Sequence, residues 1–337
     1  MDMPSKPGTQ SDGGCEAESC EALPKNPSKE AVMIYRSPKI SIIGAGRVGA
    51  TIAFGILMKG LAGEMLIVDE NKDVAQGEAY DLMHASPFAV SMDIKAGGYY
   101  DTRNSDVIVL TASVPVKGVQ SRADLAKGNL KVFREIVPVL AEQSPEAIFL
   151  VVTNPLDAMT YFTLKLSGFP STRVIGTGTL LDSGRFRSLL ADSSGANPSD
   201  INAYIIGEHG ENQFPVLSSA SVGGRFFKVK EKVIELFEQA KTEGRMVFEH
   251  KGHTNYAIGL TALTILESLM LNSRRVLPVS ILIERYLGVS DVCLSIPAVI
   301  GRNGIQRVIE LDLDDSEQDQ FKKAAGALKE FIRLIKD

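Results

Sequence analysis

Short apolar runs separated by stretches of mixed polarity set the rhythm of this chain. Ile40–Ile43, Met65–Val68, Val107–Thr111 (VIVLT), Ala147–Val152 (AIFLVV) and Val174–Ile175 read as strands buried on both faces, with a weaker strand near Asp93–Ala96. Between them the pattern turns helical, after Gly49, from Asp69 to about His84 and from Ala123 to Gln143. Strands alternating with helices predict an α/β domain, a doubly wound parallel sheet covered on both faces, that ends near Thr177. Beyond it the order changes. A helix over Leu180–Ala191 is followed by the strand-like AYIIG, short strands near Pro215–Ser221 and long helices between Val229 and Leu271. Strand patterns around Val279–Leu287 and Val292–Ile309 and a terminal helix over Ser316–Lys336 complete an α+β region. The expected divisions are a polar tail over 1–36, an α/β domain over 37–177 and an α+β domain over 178–337.

Composition narrows this little but excludes much. The chain has 337 residues, 44% of them hydrophobic, enough to bury sizeable cores. A formal net charge of −5 leaves no electrostatic footprint for nucleic acid or an anionic membrane, and no apolar run reaches the roughly 18 residues that span a bilayer. Small ligands are expected. Residues 1–36 are rich in Pro, Gly, Ser and Glu and cannot bury enough apolar surface to fold alone. They lack an apolar h-region, and Asp12, Glu16, Glu18 and Glu21 run against a transit peptide, so a flexible tail is expected. Cys15, Cys20 and Cys293 form neither a metal spacing nor a disulfide framework, which predicts a reducing, cytoplasmic setting and no metal.

One stretch carries a specific chemistry. In KISIIGAGRVGA a strand runs into Gly44, Gly46 and Gly49, a helix-like segment follows, and a second strand ends at Asp69. Gly44 permits the tight turn, Gly46 lets backbone approach a pyrophosphate, and Gly49 lets the helix pack on the strand. Free N–H groups at the helix start face the phosphates. About twenty residues on, Asp69 accepts hydrogen bonds from ribose hydroxyls and repels a 2′-phosphate, so the Rossmann dinucleotide site predicts NAD rather than NADP.

Acid–base candidates are few, because only four histidines exist. His209 follows the strand at 203–206 between Gly207 and Gly210, accessible at a strand end, whereas a lone histidine is more often structural. Asp182 could support it, and Asp182 and Arg185 lie three apart on one helix face, which a surface ion pair would also explain. Arg122 sits where a loop becomes a helix, and Asn154 ends the next strand at the same sheet edge, where parallel sheets border their ligand crevice.

In order along the chain, GAGRVGA, IVDEN, DLMHAS, SRADL, TNPLD, GTGTLLDSGRFR, IGEHGEN and SIPAVIGRNGI resemble the L-lactate/L-malate dehydrogenase family from about Ser37 to Lys336. LDSGRFR favours its lactate-type branch. The resemblance implies an NAD-dependent oxidation of a small 2-hydroxy acid to a 2-oxo acid, most simply lactate to pyruvate. Bulkier 2-hydroxy acids, then malate, are alternatives within the chemistry, and a non-catalytic dinucleotide-binding protein is the alternative outside it. It makes His209 the proton carrier, Asp182 its support, Arg185 the grip on the substrate carboxylate, and Arg122 the group that polarises the keto oxygen as its loop closes. Asn154 and Thr254 then meet the substrate, Ile258 packs on the nicotinamide, and Thr111 and Ala112 line the cofactor. A homodimer or homotetramer is implied in the same way. Four positions depart from the family pattern. Val116 stands where lactate members usually carry Gln and malate members Arg, so a second substrate carboxylate lacks a partner. Ser113 replaces a usual Gly, and Glu211-Asn212 replace an Asp and a Ser or Thr.

Overall fold

The computed structural model describes residues 36–115, 121–228 and 230–336, which places the expected tail, apart from residue 36, and Val116 outside the described residues. The first half runs β1 (Lys39–Ile43), α1 (Arg47–Lys59), β2 (Glu64–Val68), α2 (Lys72–Ala85), β3 (Asp93–Ala96), β4 (Val107–Leu110), α3 (Arg122–Gln143), β5 (Ile148–Val151), α4 (Leu156–Ser167) and β6 (Val174–Gly176). Its strands lie in the order β3-β2-β1-β4-β5-β6, all parallel. Every residue of β1, β4 and β5 is buried; β4 and β5 are unbroken apolar runs, as a sheet covered on both sides requires, and in β1 the buried Ser41 hydroxyl pairs with that of Ser105 at 2.7 Å. Side chains start two of the helices: Asn71 accepts from the amides of Asp73 and Val74, and Ser121 from that of Asp124.

Hydrophobic periodicity does not announce α4. Its buried positions run from Leu156 to Thr160 without a break, so no polar face marks a helix in the sequence. The hydroxyls of Thr160 and Thr163 return to the carbonyls of Leu156 and Met159, each at 2.8 Å, which satisfies them inside the core.

The second half contains α5 (Leu180–Ser194), β7 (Ile201–Asn202), β8 (Ile205–Gly207), β9 (Gln213–Pro215), β10 (Ser221–Val222), β11 (Arg225–Phe226), α6 (Lys230–Lys251), α7 (Tyr256–Leu271), β12 (Arg275–Tyr286), β13 (Val289–Gly301), β14 (Gly304–Val308) and α8 (Asp315–Lys336). The apolar stretch up to Ile309 is therefore two strands folded back at Gly301, not one. The parallel sheet continues through β12, β13, β8 and β9, now antiparallel, while β7, β10 and β11 form a small sheet of their own. β6 joins β12, and β13 joins β8, through a single residue pair each, and Gly176–Ser280, Ser280–Ser295 and Ser295–Gly207 lie in one row across the four strands. The row is small for a reason. A Cβ at Gly176 would run into the Thr160 hydroxyl of α4, so α4 lies close over the row. At the other end, Glu317 of α8 is buried and accepts from the amides of Leu217 (2.7 Å), Ser218 (2.9 Å) and Asp314 (3.0 Å) and from the Ser218 hydroxyl (2.7 Å).

Candidate active site

β1 ends at a turn in which Gly44 has φ +109°, a backbone state that side chains disfavour. A Cβ there would also stand 2.6 Å from the Ala112 nitrogen and 2.8 Å from the Thr111 carbonyl carbon. Thr111 locks the turn to the end of β4, its Oγ1 donating to the carbonyls of Ile43 (3.0 Å) and Gly44 (2.8 Å). A Cβ on Gly49 would strike the Gly44 carbonyl oxygen, so α1 packs against the turn at a separation only glycine allows. Gly46 opens α1 with no side-chain cap and nothing within 4 Å of where its Cβ would stand. First-turn amides without a side-chain acceptor beside open space are the donor set that a pyrophosphate needs. At the end of β2, Asp69 accepts the Ala45 amide on Oδ2 (2.7 Å) and the Asn71 amide on Oδ1 (2.9 Å). Each oxygen retains a lone pair for a ribose hydroxyl. These residues fit a dinucleotide. Ser113 is exposed and outside the positive-φ residues, so a side chain is accommodated there.

Across the sheet edge, a cavity of about 240 Å³ is lined by Asn154, Arg185, His209, Phe248, Thr254 and Ile258 among others. Five sequence candidates from four separate stretches meet here. Asn154 follows β5, Arg185 comes from α5, His209 follows β8, and Thr254 just before α7 and Ile258 in its first turn complete the set. Arg185 has room because α6 carries Gly244 beside it, where a Cβ would stand 2.8 Å from the guanidinium Nη1. Asp182 lies behind the ring, with its Oδ2 2.6 Å from His209 Nδ1 and its Oδ1 3.3 Å from Arg185 Nη1. Burial works against the Asp182 charge, but the His209 ring, its hydrogen bond and Arg185 outweigh it and hold the carboxyl below its usual range. Burial likewise disfavours the His209 cation, and the charge and hydrogen bond of Asp182, with a further share from Asp157, more than compensate and raise the imidazole. An imidazole braced at Nδ1 and facing a cavity with Nε2 can exchange a proton with a bound oxygen.

Arg122 stands apart from this cavity. Its Nη2 is 2.5 Å from Glu208 Oε1, its guanidinium lies 4.8 Å over the Phe331 ring of α8, and it borders Gly210. Glu208 is buried, and Asn212 donates to its second oxygen at 2.6 Å. The departure at Asn212 thus has a structural role, completing the hydrogen bonding of a buried carboxylate.

Two acids of the site leave no signal in the sequence, although both lie inside family motifs. Glu208 directly precedes the candidate histidine in IGEHGEN. Asp157, in TNPLD, is fully buried in the first turn of α4 and accepts the His209 amide at 2.6 Å. Desolvation pushes its carboxyl up to about 6, against the lowering effects of Ser280 and His209.

Comparison with known proteins agrees with this fold. The lactate/malate dehydrogenase NAD-binding domain matches residues 38–176, and the lactate/malate dehydrogenase alpha/beta C-terminal domain matches residues 179–337. The chain is 39% identical over 307 residues to an L-lactate dehydrogenase of Clostridium perfringens, covering 88% of this chain and 97% of that one. It is 42% identical over 328 residues to L-lactate dehydrogenase A of Hordeum vulgare, covering 94% and 92%. Among solved structures, a lactate dehydrogenase from a Medee basin deep-sea metagenome library superposes with a TM-score of 0.86 at 30% identity, covering 90% of this chain and 100% of that one.

Proposed function

This chain belongs to the lactate/malate dehydrogenase family, and from that premise we propose that it is an NAD-dependent L-lactate dehydrogenase interconverting pyruvate and L-lactate. One observation carries the reading: the His209 ring, braced by Asp182 at 2.6 Å, and the Arg185 guanidinium face the same small cavity. Binding a dinucleotide alone requires neither.

When bound at the glycine turn, NAD supplies the hydride exchange at its nicotinamide ring. The protein does the rest. Arg185 pairs its planar guanidinium with the substrate carboxylate, which fixes orientation. His209, protonated, donates from Nε2 to the keto oxygen during reduction and takes the proton back during oxidation. Asp182 stabilises the imidazolium and fixes the tautomer of the neutral ring. Asn154 and Thr254 flank the substrate, and Ile258 adds an apolar wall. Arg122 polarises the keto oxygen once its guanidinium has exchanged Glu208 for the substrate.

Val116 lies outside the described residues, and its assignment as the position that meets the substrate side chain rests on its place six residues before Arg122. A homodimer or homotetramer accords with the apolar surface of α1 and α7, where Phe54, Met58, Tyr256 and Leu260 are exposed around a groove of about 660 Å³. The functional division is a cofactor half over 37–177 and a substrate half over 178–337, at work in the cytoplasm. No single described helix is long and apolar enough to cross a membrane. The test is NADH oxidation against a panel of 2-oxo acids: pyruvate should give the highest kcat/KM, and a chain that oxidises NADH with none of them would not have the activity.

A further inference from the structure

His209 is held twice. Asp182, from α5, takes the ring; Asp157, from α4, takes the main chain, with its Oδ2 2.6 Å from the His209 nitrogen. The two acids approach from different helices, and the second is not part of any proton-relay role assigned above. We propose that Asp157 is a positioning residue for the reaction, fixing the backbone of His209 so that the ring bonded to Asp182 points into the substrate cavity.

Several features set Asp157 apart from ordinary packing. It is fully buried, one oxygen takes the His209 amide, and the Ser280 hydroxyl beside the carboxyl favours its charged form. Anchoring one amide requires only a neutral acceptor, so an aspartate here carries a desolvation cost that an asparagine would avoid. The start of α4 offsets part of it, because the positive end of a helix favours a carboxylate in the first turn. The fold also holds the acid in place. α4 lies close over the row Gly176–Ser280–Ser295–Gly207, and the same row ends two residues before His209. Backbone bond, helix and strand row therefore form one rigid bracket.

The charge on Asp157 has a consequence that a neutral bracket would lack. It is faced by His209 and Glu208 from the turn after β8, by Ser280 on β12 and by Cys293 on β13, while Asp182 and Arg185 act on His209 from α5. With Asp157 ionised, the His209 cation is favoured. Burial places the Asp157 carboxyl at about 6, so its charge changes within reach of neutral pH, and the two groups titrate as a coupled pair.

This inference rests on His209 being the proton carrier, and the experiment separates the two claims. In the full-length protein without substrate, the ring protons of the four histidines are followed by NMR from pH 4.5 to 9. Wild-type His209 should give a broadened, two-step curve; D157N should give a single step displaced to lower pH, since the charge that favours the cation is gone. For pyruvate reduction, which consumes the proton of His209, the falling limb of kcat/KM should move to lower pH in the same variant. D157N keeps an acceptor for the His209 amide and should lose about threefold in kcat at pH 7, whereas D157A leaves that amide unpaired and should lose about thirtyfold, with NADH affinity retained in both. A His209 curve unchanged in D157N overturns the proposal, as does equal damage from D157N and D157A. If D157A does not fold, the D157N titration decides alone. An intact coupling in a protein whose H209A variant keeps normal turnover would instead count against the proposed function.

Discussion

At the nucleotide end, the groups proposed to face the cofactor come from one stretch, Gly44 to Asp69, with Thr111 and Ala112 as its support, and most of them are backbone. At the substrate end they are side chains gathered from α4, α5, the turn after β8 and α7. The first site is defined by what is absent, since a Cβ at Gly44 or Gly49 has no space. The second is defined by partners, since each charged group is held by another. A steric site tolerates electrostatic change and fails on added atoms. A partnered site tolerates small changes of shape and fails when one charge is removed.

The sharpest test of that contrast removes the proton carrier. His209→Ala should cost about a thousandfold in kcat for pyruvate reduction, while the NADH dissociation constant measured by fluorescence titration stays within a factor of two or so of wild type. Asp182→Asn should cost about a hundredfold and carry a pH signature. Asp182 raises the His209 pKa. Without it the protonated ring is lost at lower pH, so the falling limb of pyruvate reduction should move down the pH scale. Near-normal turnover in both variants would remove His209 from its proposed role.

The nucleotide end has its own charge, on Asp69, and there the contrast can be sharpened. NADH should be preferred over NADPH by about a hundredfold in kcat/KM, because a 2′-phosphate meets a carboxylate. Asp69→Ser should narrow the gap mainly by improving NADPH. Equal kcat/KM for the two cofactors in the wild type would contradict the reading of Asp69.

A smaller effect is expected for specificity. Val116 offers contact area and no charge, so Val116→Arg should raise oxaloacetate relative to pyruvate by about tenfold to a hundredfold. Should wild-type kcat/KM for oxaloacetate already exceed that for every monocarboxylic 2-oxo acid, Val116 is not the discriminator, and the adjacent Lys117 becomes the candidate.

The smallest expected effect is on activation by sugar bisphosphates. By the family resemblance, Arg187 on α5 stands where a phosphate-binding arginine is expected, but the companion position is Asn202 rather than histidine. The Arg187 side chain is partly buried and bonds to the Ser183 carbonyl at 3.3 Å. Fructose 1,6-bisphosphate should change the pyruvate KM by less than about twofold, since half of a charged clamp supplies little binding. A strong fall in KM on its addition would show that other residues complete the clamp.

Sequence served the two ends differently, and for the same reason. A glycine turn followed by a strand and an acid is local, so Gly44, Gly46, Gly49 and Asp69 could be assigned from spacing and the demands of backbone geometry. His209, Asp182, Arg185 and Asn154 could be nominated as residue types at strand ends and on a helix face, but family motifs were needed to bring them together. Asp157 and Glu208 were not found, because they accept the His209 amide and hold Arg122, and neither role leaves a periodic trace. α4 went unannounced because its buried run from Leu156 to Thr160 includes the polar Asp157 and Thr160, so no polar stripe opposes an apolar one. Arg122 was expected at the substrate. The structure pairs it with Glu208, a contact 86 residues away in the chain that no spacing rule addresses.

Glu317 sets a condition on how the protein is made. Its carboxylate closes the chain after β9 from 100 residues downstream, an interval that a ribosome covers in about 5–20 s. Until then the amides of Leu217 and Ser218 lack their acceptor, while the strands that build the nucleotide turn, up to β6, have already been synthesised. The cofactor end can therefore be complete on the nascent chain, and the substrate end is finished only when the last helix arrives. Ribosome-bound chains stalled before residue 317 should bind an immobilised NAD analogue yet have a substrate half that protease digests. A protease-resistant substrate half in such chains would show that Glu317 locks a structure already formed.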